Sequence, residues 1–453
     1  MLPDVCLLEI FDVYVYEADD DNEGDGIEAW HTLVHVCRKW RSVVFGSPRR
    51  LNLRLYCGVH TPVREILDIW PPLPIVLKAF GPETWDENNI NAALEHSDRI
   101  YQLVIFDIPS SDTGKTFAAL QQPFPALTFM RFVFDIETAP VIPDSFLGGS
   151  APSLQKLALN RIPFPGLPKL LLSSTHLVDL DLQNVPHSGY ISPEAMVTAL
   201  SVLTRLERLH IGFRSPRSHP DRRTQHPPTT RALLPVLTKL DFNGVGEYLE
   251  DFVARIDAPL LDKLTINFSH QLIFDTPQLT QFINRTPKFE THDEARVVFS
   301  NRDVTVTVPQ AFGGALRLGI LCGQSDWQLS SVAQVCSLSF PPALILAVER
   351  LYIWNYRGLG LRWQDDVENS QWLELFHPFI AVKYLYLDSE FTLQIATALK
   401  ELAGRMTEVL PALETIFLEE PLPSGPVQEA IGQFVSARQL SGHPIAVSRW
   451  KRR

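Results

Sequence analysis

Few residue groups in this chain have the types and spacing for chemistry, and each lacks a partner that its chemistry needs. His31 and His35 stand four apart, a step that puts two imidazoles on one helix face as zinc ligands. Residue 32, however, is threonine where a zinc protease needs its glutamate base. The pair reads as surface or core histidine. Gly114-Lys115-Thr116 has the ending of a phosphate-binding loop, but the glycine that should open such a loop falls at position 109, which is proline. The cysteines at 6, 37, 57, 322 and 336 are odd in number and include no Cys-x-x-Cys pair, which argues against both a disulfide framework and a zinc cluster. No Gly-x-Ser-x-Gly elbow is present, and no cysteine has the surroundings of a nucleophile. The expectation is a protein without catalytic residues, metal or cofactor, whose function is binding.

Two short apolar stripes at the start of the chain must position whatever binds there. Pro3 suits an opening helical turn, and Leu7, Leu8, Ile10 and Phe11 crowd one broad side of the next two turns. Trp30, Leu33, Cys37, Trp40 and Val44 then recur at three- or four-residue steps, a second helical stripe. Two such stripes in under fifty residues cannot close a self-sufficient core, so they should pack on each other and offer the remainder to something outside. Between them Glu17, Asp19, Asp20, Asp21, Glu23, Asp25 and Glu28 carry more than half of the net charge of −12, which predicts a solvated acidic loop over residues 17–28.

The run Leu-Pro-x-x-x-Leu-Leu-x-Ile-Phe from Leu2 to Phe11, followed by Leu33-Val34-His35-Val36-Cys37-Arg38-Lys39-Trp40-Arg41, resembles an F-box. That family of small helical modules docks on the Skp-type adaptor of cullin-RING ubiquitin ligases. The resemblance covers about a tenth of the chain, and a more diffuse similarity runs on through Ser47-Pro48-Arg49-Arg50-Leu51-Asn52-Leu53 into the later leucine-rich segments, as in F-box and leucine-rich-repeat proteins of mushroom-forming fungi. It implies an adaptor-binding set among Leu2, Pro3, Leu7, Leu8, Ile10, Phe11, Leu33, Val36 and Trp40, some of which would instead close the module's own core. The implied function is a substrate-recruiting subunit of a Skp-cullin-F-box ligase, itself not an enzyme. The alternative is a repeat-based interaction scaffold outside any ligase.

From Leu51 onward strand and helix alternate at short range. Leu51, Leu53 and Leu55 read as a strand, residues 61–70 as a short helix and residues 73–79 as a second strand. The template apolar-x-x-apolar-x-apolar then opens at Ile100, Leu127, Leu154, Leu177, Leu206, Leu237 and Leu261, and returns at Val348, Val382 and Leu413. Steps of 23 to 31 residues within the first run match leucine-rich repeats, slightly on the long side. The fold class expected is α/β: an all-helical head over residues 1–48, an irregular leucine-rich-repeat-like solenoid over 49–425 with parallel strands on its concave face and helices outside, and a capping helix with a basic tail over 426–453. Helical crossovers are expected at 85–97, 193–204, 365–379, 392–403 and 426–440. The stretch 262–347 is read as degenerate repeats, with a hairpin across Asn301-Arg302-Asp303 as the competing reading. Residues 214–231, with five arginines and four prolines, read as a surface loop or a partner-contacting arm.

Side chains between the buried template positions should face the concave side and stack from repeat to repeat. The third position gives Lys156, Asp179, Arg208, Lys239, Lys263, Arg350 and Tyr384, and the fifth gives Ala158, Asp181, His210, Asp241, Thr265, Tyr352 and Tyr386. Bases dominate one column of an acidic chain, and Trp354 and Phe417 join the tyrosines toward the carboxyl end. Lys156, Arg208, Lys239, Lys263, Arg350, Tyr352, Trp354, Tyr384 and Tyr386 form the expected cargo-binding set, for a segment acidic or phosphorylated at one end and apolar at the other. Asp181 and Asp241 could instead offset the bases within a purely structural ladder.

Bulk properties limit the remaining partners. A composition of 45% hydrophobic and 20% charged residues is that of a folded chain. Overall acidity disfavours nucleic acid, which the short Lys451-Arg452-Arg453 run does not overturn. No apolar run approaches a membrane span and no basic region precedes an apolar leader, so a cytoplasmic or nuclear location is expected and the sequons at Asn267 and Asn284 read as idle.

Overall fold

The computed structural model describes residues 2–20, 29–46, 53–70, 72–81, 84–106, 113–134, 140–214, 231–269, 274–289, 292–310, 313–322, 326–356, 369–401, 408–419 and 425–451. Residues 215–230 of the expected arm, 21–28 of the expected acidic loop and the last two arginines lie outside them. The chain divides into two compact units, Met1–Tyr190 and Ile191–Arg453.

The first unit begins with three helices, α1 (Asp4–Asp20), α2 (Ala29–Val36) and α3 (Arg38–Gly46). The Pro3 carbonyl accepts the first helical bond, from the Leu7 amide at 3.1 Å, and Asp4 supplies an acid to the first turn, where it favours the positive end of the helix dipole. Leu7 and Phe11, one turn apart, bury against Leu33, Val34, Val43 and Val44, with the Phe11 and Trp40 rings 4.8 Å apart. Helix α1 continues to Asp20, so Glu17, Asp19 and Asp20 lie in it and not in the expected acidic loop.

Six strands follow in the same unit: β1 (Leu53–Tyr56), β2 (Ile75–Ala79), β3 (Ile100–Phe106), β4 (Phe129–Val133), β5 (Lys156–Asn160) and β6 (Asp179–Val185). Every pairing is parallel, and the register sets Leu103 against Met130, Leu157 and Leu180 in turn. Equivalent template positions therefore stand side by side, all buried. Each strand presents one apolar face too small to close alone, and stacking supplies the core. Between the strands run α4 (Val63–Ile69), α5 (Glu87–Leu94), α6 (Thr113–Ala119) and α7 (Leu167–Leu171). The Asp86 carboxylate caps α5 by accepting from the Asn88 and Asn89 amides.

In the second unit, α8 (Pro193–Leu200) leads into β7 (Arg208–Phe213), β8 (Ala232–Leu233), β9 (Lys239–Gly244), α9 (Gly246–Val253), β10 (Ile256–Asp257), β11 (Lys263–Ser269) and α10 (Pro277–Arg285). Strands β7, β9 and β11 pair in parallel with Leu209, Leu240 and Leu264 in register, while β8 and β10 form a separate two-stranded parallel ladder. The chain continues as β12 (Glu294–Phe299), β13 (Asp303–Pro309), β14 (Ala315–Leu321), α11 (Asp326–Leu338), α12 (Pro342–Leu346), β15 (Arg350–Asn355), α13 (Asn369–Phe376), β16 (Tyr384–Leu387), α14 (Thr392–Glu401), β17 (Thr415–Leu418), α15 (Pro426–Leu440) and β18 (Ala446–Arg449).

Residues 262–347 are not degenerate repeats. The chain overshoots, so that β14 pairs with β11, β13 runs antiparallel between β14 and β12, and β12 rejoins the parallel order beside β15. The competing hairpin across residues 301–303 is the one that forms. Ala295, Val297 and Phe299 alternate against Val304, Val306 and Val308, all fully buried, and Ser300 closes the turn by accepting from the Arg302 and Asp303 amides. Gly314 lets the last strand of this meander reach β11, because a Cβ there would sit 2.6 Å from the Asp262 carbonyl oxygen.

The expected crossovers correspond to α5, α8, α13, α14 and α15. After the expected capping helix α15 the chain returns as one more strand, β18, parallel to β17. Arginines tie successive crossovers together in this unit. Arg285 reaches the Ile256 carbonyl and Asp257, and the buried Arg438 donates to the carbonyls of Leu410, Pro411 and Leu413. Among the described residues, no helix is long and apolar enough to cross a membrane.

Candidate functional site

The head divides the expected adaptor-binding residues into two groups. Leu7, Phe11 and Leu33 are buried, Leu8 and Trp40 are half-buried, and Leu2, Pro3, Ile10 and Val36 are exposed, with Leu2 52%, Ile10 49% and Val36 55% accessible. Val5, which stands where F-boxes usually have an acid, and Val13, which sequence reasoning did not single out, are as exposed as these. Cys6, Ile10 and Val13 follow one another at four- and three-residue steps, a spacing that was available in the sequence. The Lys39 ammonium fixes the entrance to α1, donating to the Leu2 carbonyl at 2.8 Å and pairing with Asp4 at 3.3 Å. The result is a set of exposed apolar side chains carried by a small helical core.

On the repeat strands, buried and half-exposed residues alternate, so each unit presents one face away from its core. In the first unit that face carries Lys156, exposed and in register with Asp179. In the second unit Arg208, Lys239 and Lys263 stand in register on β7, β9 and β11. Lys239 is answered by Asp241 at 2.7 Å, and the same carboxylate faces His210 at 3.9 Å. Arg208 lies 3.7 Å from Glu207, whereas Lys263 is exposed with no ion pair among the described residues. Arg350 is gripped at both carboxylate oxygens of Asp293, at 2.7 and 2.8 Å, a geometry that leaves it less to offer a partner. This hydrogen-bonded pairing holds the Asp293 carboxyl below its ordinary range and raises the Arg350 guanidinium.

The reversed meander places three more residues in the fifth-position column, Arg317, Thr307 and Arg296, between Thr265 on β11 and Tyr352 on β15. Template reading missed them because residues 262–347 do not carry the template. Period-two alternation was the signal that could have found them.

At the carboxyl end the expected aromatic residues are brought together. Tyr352 stacks on Tyr386 with ring centroids 4.2 Å apart and 11° between planes, and Tyr386 stacks on Phe417 at 4.5 Å and 7°. Trp354 meets Tyr352 edge-on at 5.9 Å, and Tyr384 lies 6.3 Å from Phe417. Trp450, not anticipated, completes the group. Its indole stands edge-to-face against Tyr386 at 5.5 Å and Tyr352 at 6.0 Å, and its Nε1 donates to the Leu387 carbonyl at 3.2 Å. Burial, then the Glu294 charge, push the Tyr352 hydroxyl up to about 12, so it remains a neutral hydrogen-bonding group. Asp388, Glu390 and Glu419 lie beside the carboxyl ends of these strands. Burial raises the Asp388 carboxyl, and the two glutamate charges add to that rise.

Among the described residues no group of three His, Cys, Asp or Glu side chains is placed to hold a metal ion. Cys57 and Cys322 have thiols pushed up by burial, to about 12 and about 11, which makes them poor nucleophiles.

No protein-family model matches the chain, and no curated protein matches it. Among solved structures, the chain is similar to the leucine-rich repeat-containing protein LegL7 from Legionella pneumophila. The two share 13% identity, the alignment covers 84% of this chain and 97% of that one, and the TM-score is 0.29.

Proposed function

We propose that this chain is the substrate-recruiting subunit of a Skp-cullin-F-box ubiquitin ligase, in which the helical head holds a Skp-type adaptor and the open strand faces hold a protein cargo. The observation that carries this reading is the exposure of Leu2, Pro3, Ile10 and Val36 on a head whose motif resembles an F-box, while Leu7, Phe11 and Leu33 are buried. Apolar side chains held out by a small core are what a docking module needs. On this reading the chain contributes proximity, and bond making belongs to other subunits of the assembly in the cytoplasm or nucleus. Cargo would lie along the face of the second unit, with its acidic part against Lys239 and Lys263 and its apolar part toward the aromatic group.

The test is a pull-down with purified Skp-type adaptor. Leu2→Ala combined with Pro3→Ala should cost at least ten-fold in adaptor affinity with an unchanged circular dichroism spectrum, because both residues lie outside the head's core. Undiminished binding overturns the docking role. If the wild-type chain brings down no adaptor or cullin, the second reading, an interaction scaffold outside any ligase, takes its place.

A further inference from the structure

We infer that the aromatic group on β15–β17 is a binding site for a peptide segment with an aromatic residue followed by basic ones, and that the chain's own carboxyl terminus occupies it as a displaceable ligand. The inference rests on the cargo reading of this face and adds to it the class of segment bound and the means of regulation.

The first ground is the way the rings are used. Tyr352, Tyr386 and Phe417 stack face to face within 4.5 Å, so their faces satisfy one another and only their edges and the flanks of the row remain to be covered. Aromatic rings accept an edge-to-face neighbour in that position, and Trp450 takes it against both tyrosines. The indole N–H is also used, since it donates to the Leu387 carbonyl. A site that takes a ring edge-on and offers a carbonyl to its N–H is specific for tryptophan over phenylalanine.

The second ground is charge. Glu390, exposed, and Glu419, half-buried, follow the carboxyl ends of β16 and β17 and form the rim, while Asp388 between them is buried and accepts from the Asn355, Glu390 and Phe391 amides. The Trp450 amide is bonded to the Leu418 carbonyl, directly before Glu419, so the residue after the indole emerges beside this acidic rim. That residue is Lys451, and the sequence continues with two arginines. The tail thus has the complement that the rim selects.

The third ground is how lightly the tail is held. Strand β18 is four residues long and pairs with β17, and Ala446, Ser448 and Arg449 are exposed. Short strands at a sheet end with little buried surface open far more readily than the core does. A tethered ligand of this kind competes at an effective concentration in the millimolar range for a short linker, so an external segment binds only by displacing it.

The probe is a fluorescein-labelled peptide of residues 448–453, added to the full chain. Trp450→Ala should bind it at least ten-fold more tightly than wild type, Trp450→Ala with Tyr386→Ala should lose that gain, and a probe with alanine in place of tryptophan should not bind. Equal binding to wild type and Trp450→Ala overturns the inference, as does preference of the Trp450→Ala protein for an acidic peptide of equal length. Should the substitution unfold the carboxyl end, hydrogen exchange on wild type decides. Excess probe should accelerate exchange of the β18 amides while β15 and β16 stay protected, and unchanged β18 exchange refutes displacement. These readouts involve no cargo, so their failure leaves the cargo reading standing, and loss of cargo binding with intact probe binding sinks only that reading.

Discussion

At the scale of single residues, the open face of the second unit separates charges already answered from those still available. Arg350 belonged to the expected binding set, but its Nη2 donates to both carboxylate oxygens of Asp293, which makes it a structural residue first. The linkage has a definite sign. Because the pairing lowers the Asp293 carboxyl in the folded state, its contribution is present above the ordinary aspartate value, about 3.9, and is lost as pH falls through the lowered folded value. Asp388 works in the opposite sense. Its folded carboxyl is raised by burial, so its contribution is present below the ordinary value and fades as pH rises through the raised one. Arg350→Ala should therefore lower the denaturation midpoint at pH 7 and converge on wild type once pH falls below the lowered Asp293 value, as read by urea titrations across pH. A deficit independent of pH would mean that the arginine acts through packing of its stem.

Among elements, the reversed meander is the departure from simple repetition that matters most. Its two outer strands continue the parallel order, and its middle strand runs against it. That insertion brings Arg296, Thr307 and Arg317 into the open-face column, so the element that breaks the repeat also recomposes the candidate site. Gly314 sits where the meander closes onto β11, and a Cβ there would lie 2.6 Å from a backbone oxygen, which cannot rotate away. Gly314→Ala should cost about 1–3 kcal/mol, the range for overpacking a tight site. The measurement is the urea midpoint, paired with hydrogen exchange of β11 and β14. A neutral result would show that the two strands can separate locally at no cost.

At the scale of the whole molecule, each unit is a series of strands whose apolar faces are completed by their neighbours, so damage should spread by adjacency. Leu240 is buried on β9, in register with Leu209 and Leu264. Leu240→Ala should cost about 2–5 kcal/mol through lost transfer energy and cavity formation. In a nearest-neighbour stack this loss appears first as weakened amide protection on β7, β9 and β11, with β16 and β17 affected least. Uniform loss across the second unit would show that it unfolds as one cooperative block.

Much of this architecture was legible in the sequence, because the template apolar-x-x-apolar-x-apolar is the direct imprint of burial. A side chain that must face inward at a fixed place in every repeat leaves the same spacing each time, as at Leu154, Leu157 and Leu159, and crossover helices such as α15 left their own apolar period and an opening proline. The alternation of covered and open residues followed, and with it the charged and aromatic columns. Tertiary structure alone decided what depends on contacts between distant segments. The pairing of β14 with β11, and not of β12, is set by how strands across a long stretch compete for one edge, which local periodicity does not encode. Which head residues turn inward was likewise undecided, since Leu7 and Ile10 are equally apolar and only the packing of three helices buries one and exposes the other. Trp450 lay beyond the template altogether. Its place against Tyr352 and Tyr386 exists only because the chain turns back after α15 to add one more strand.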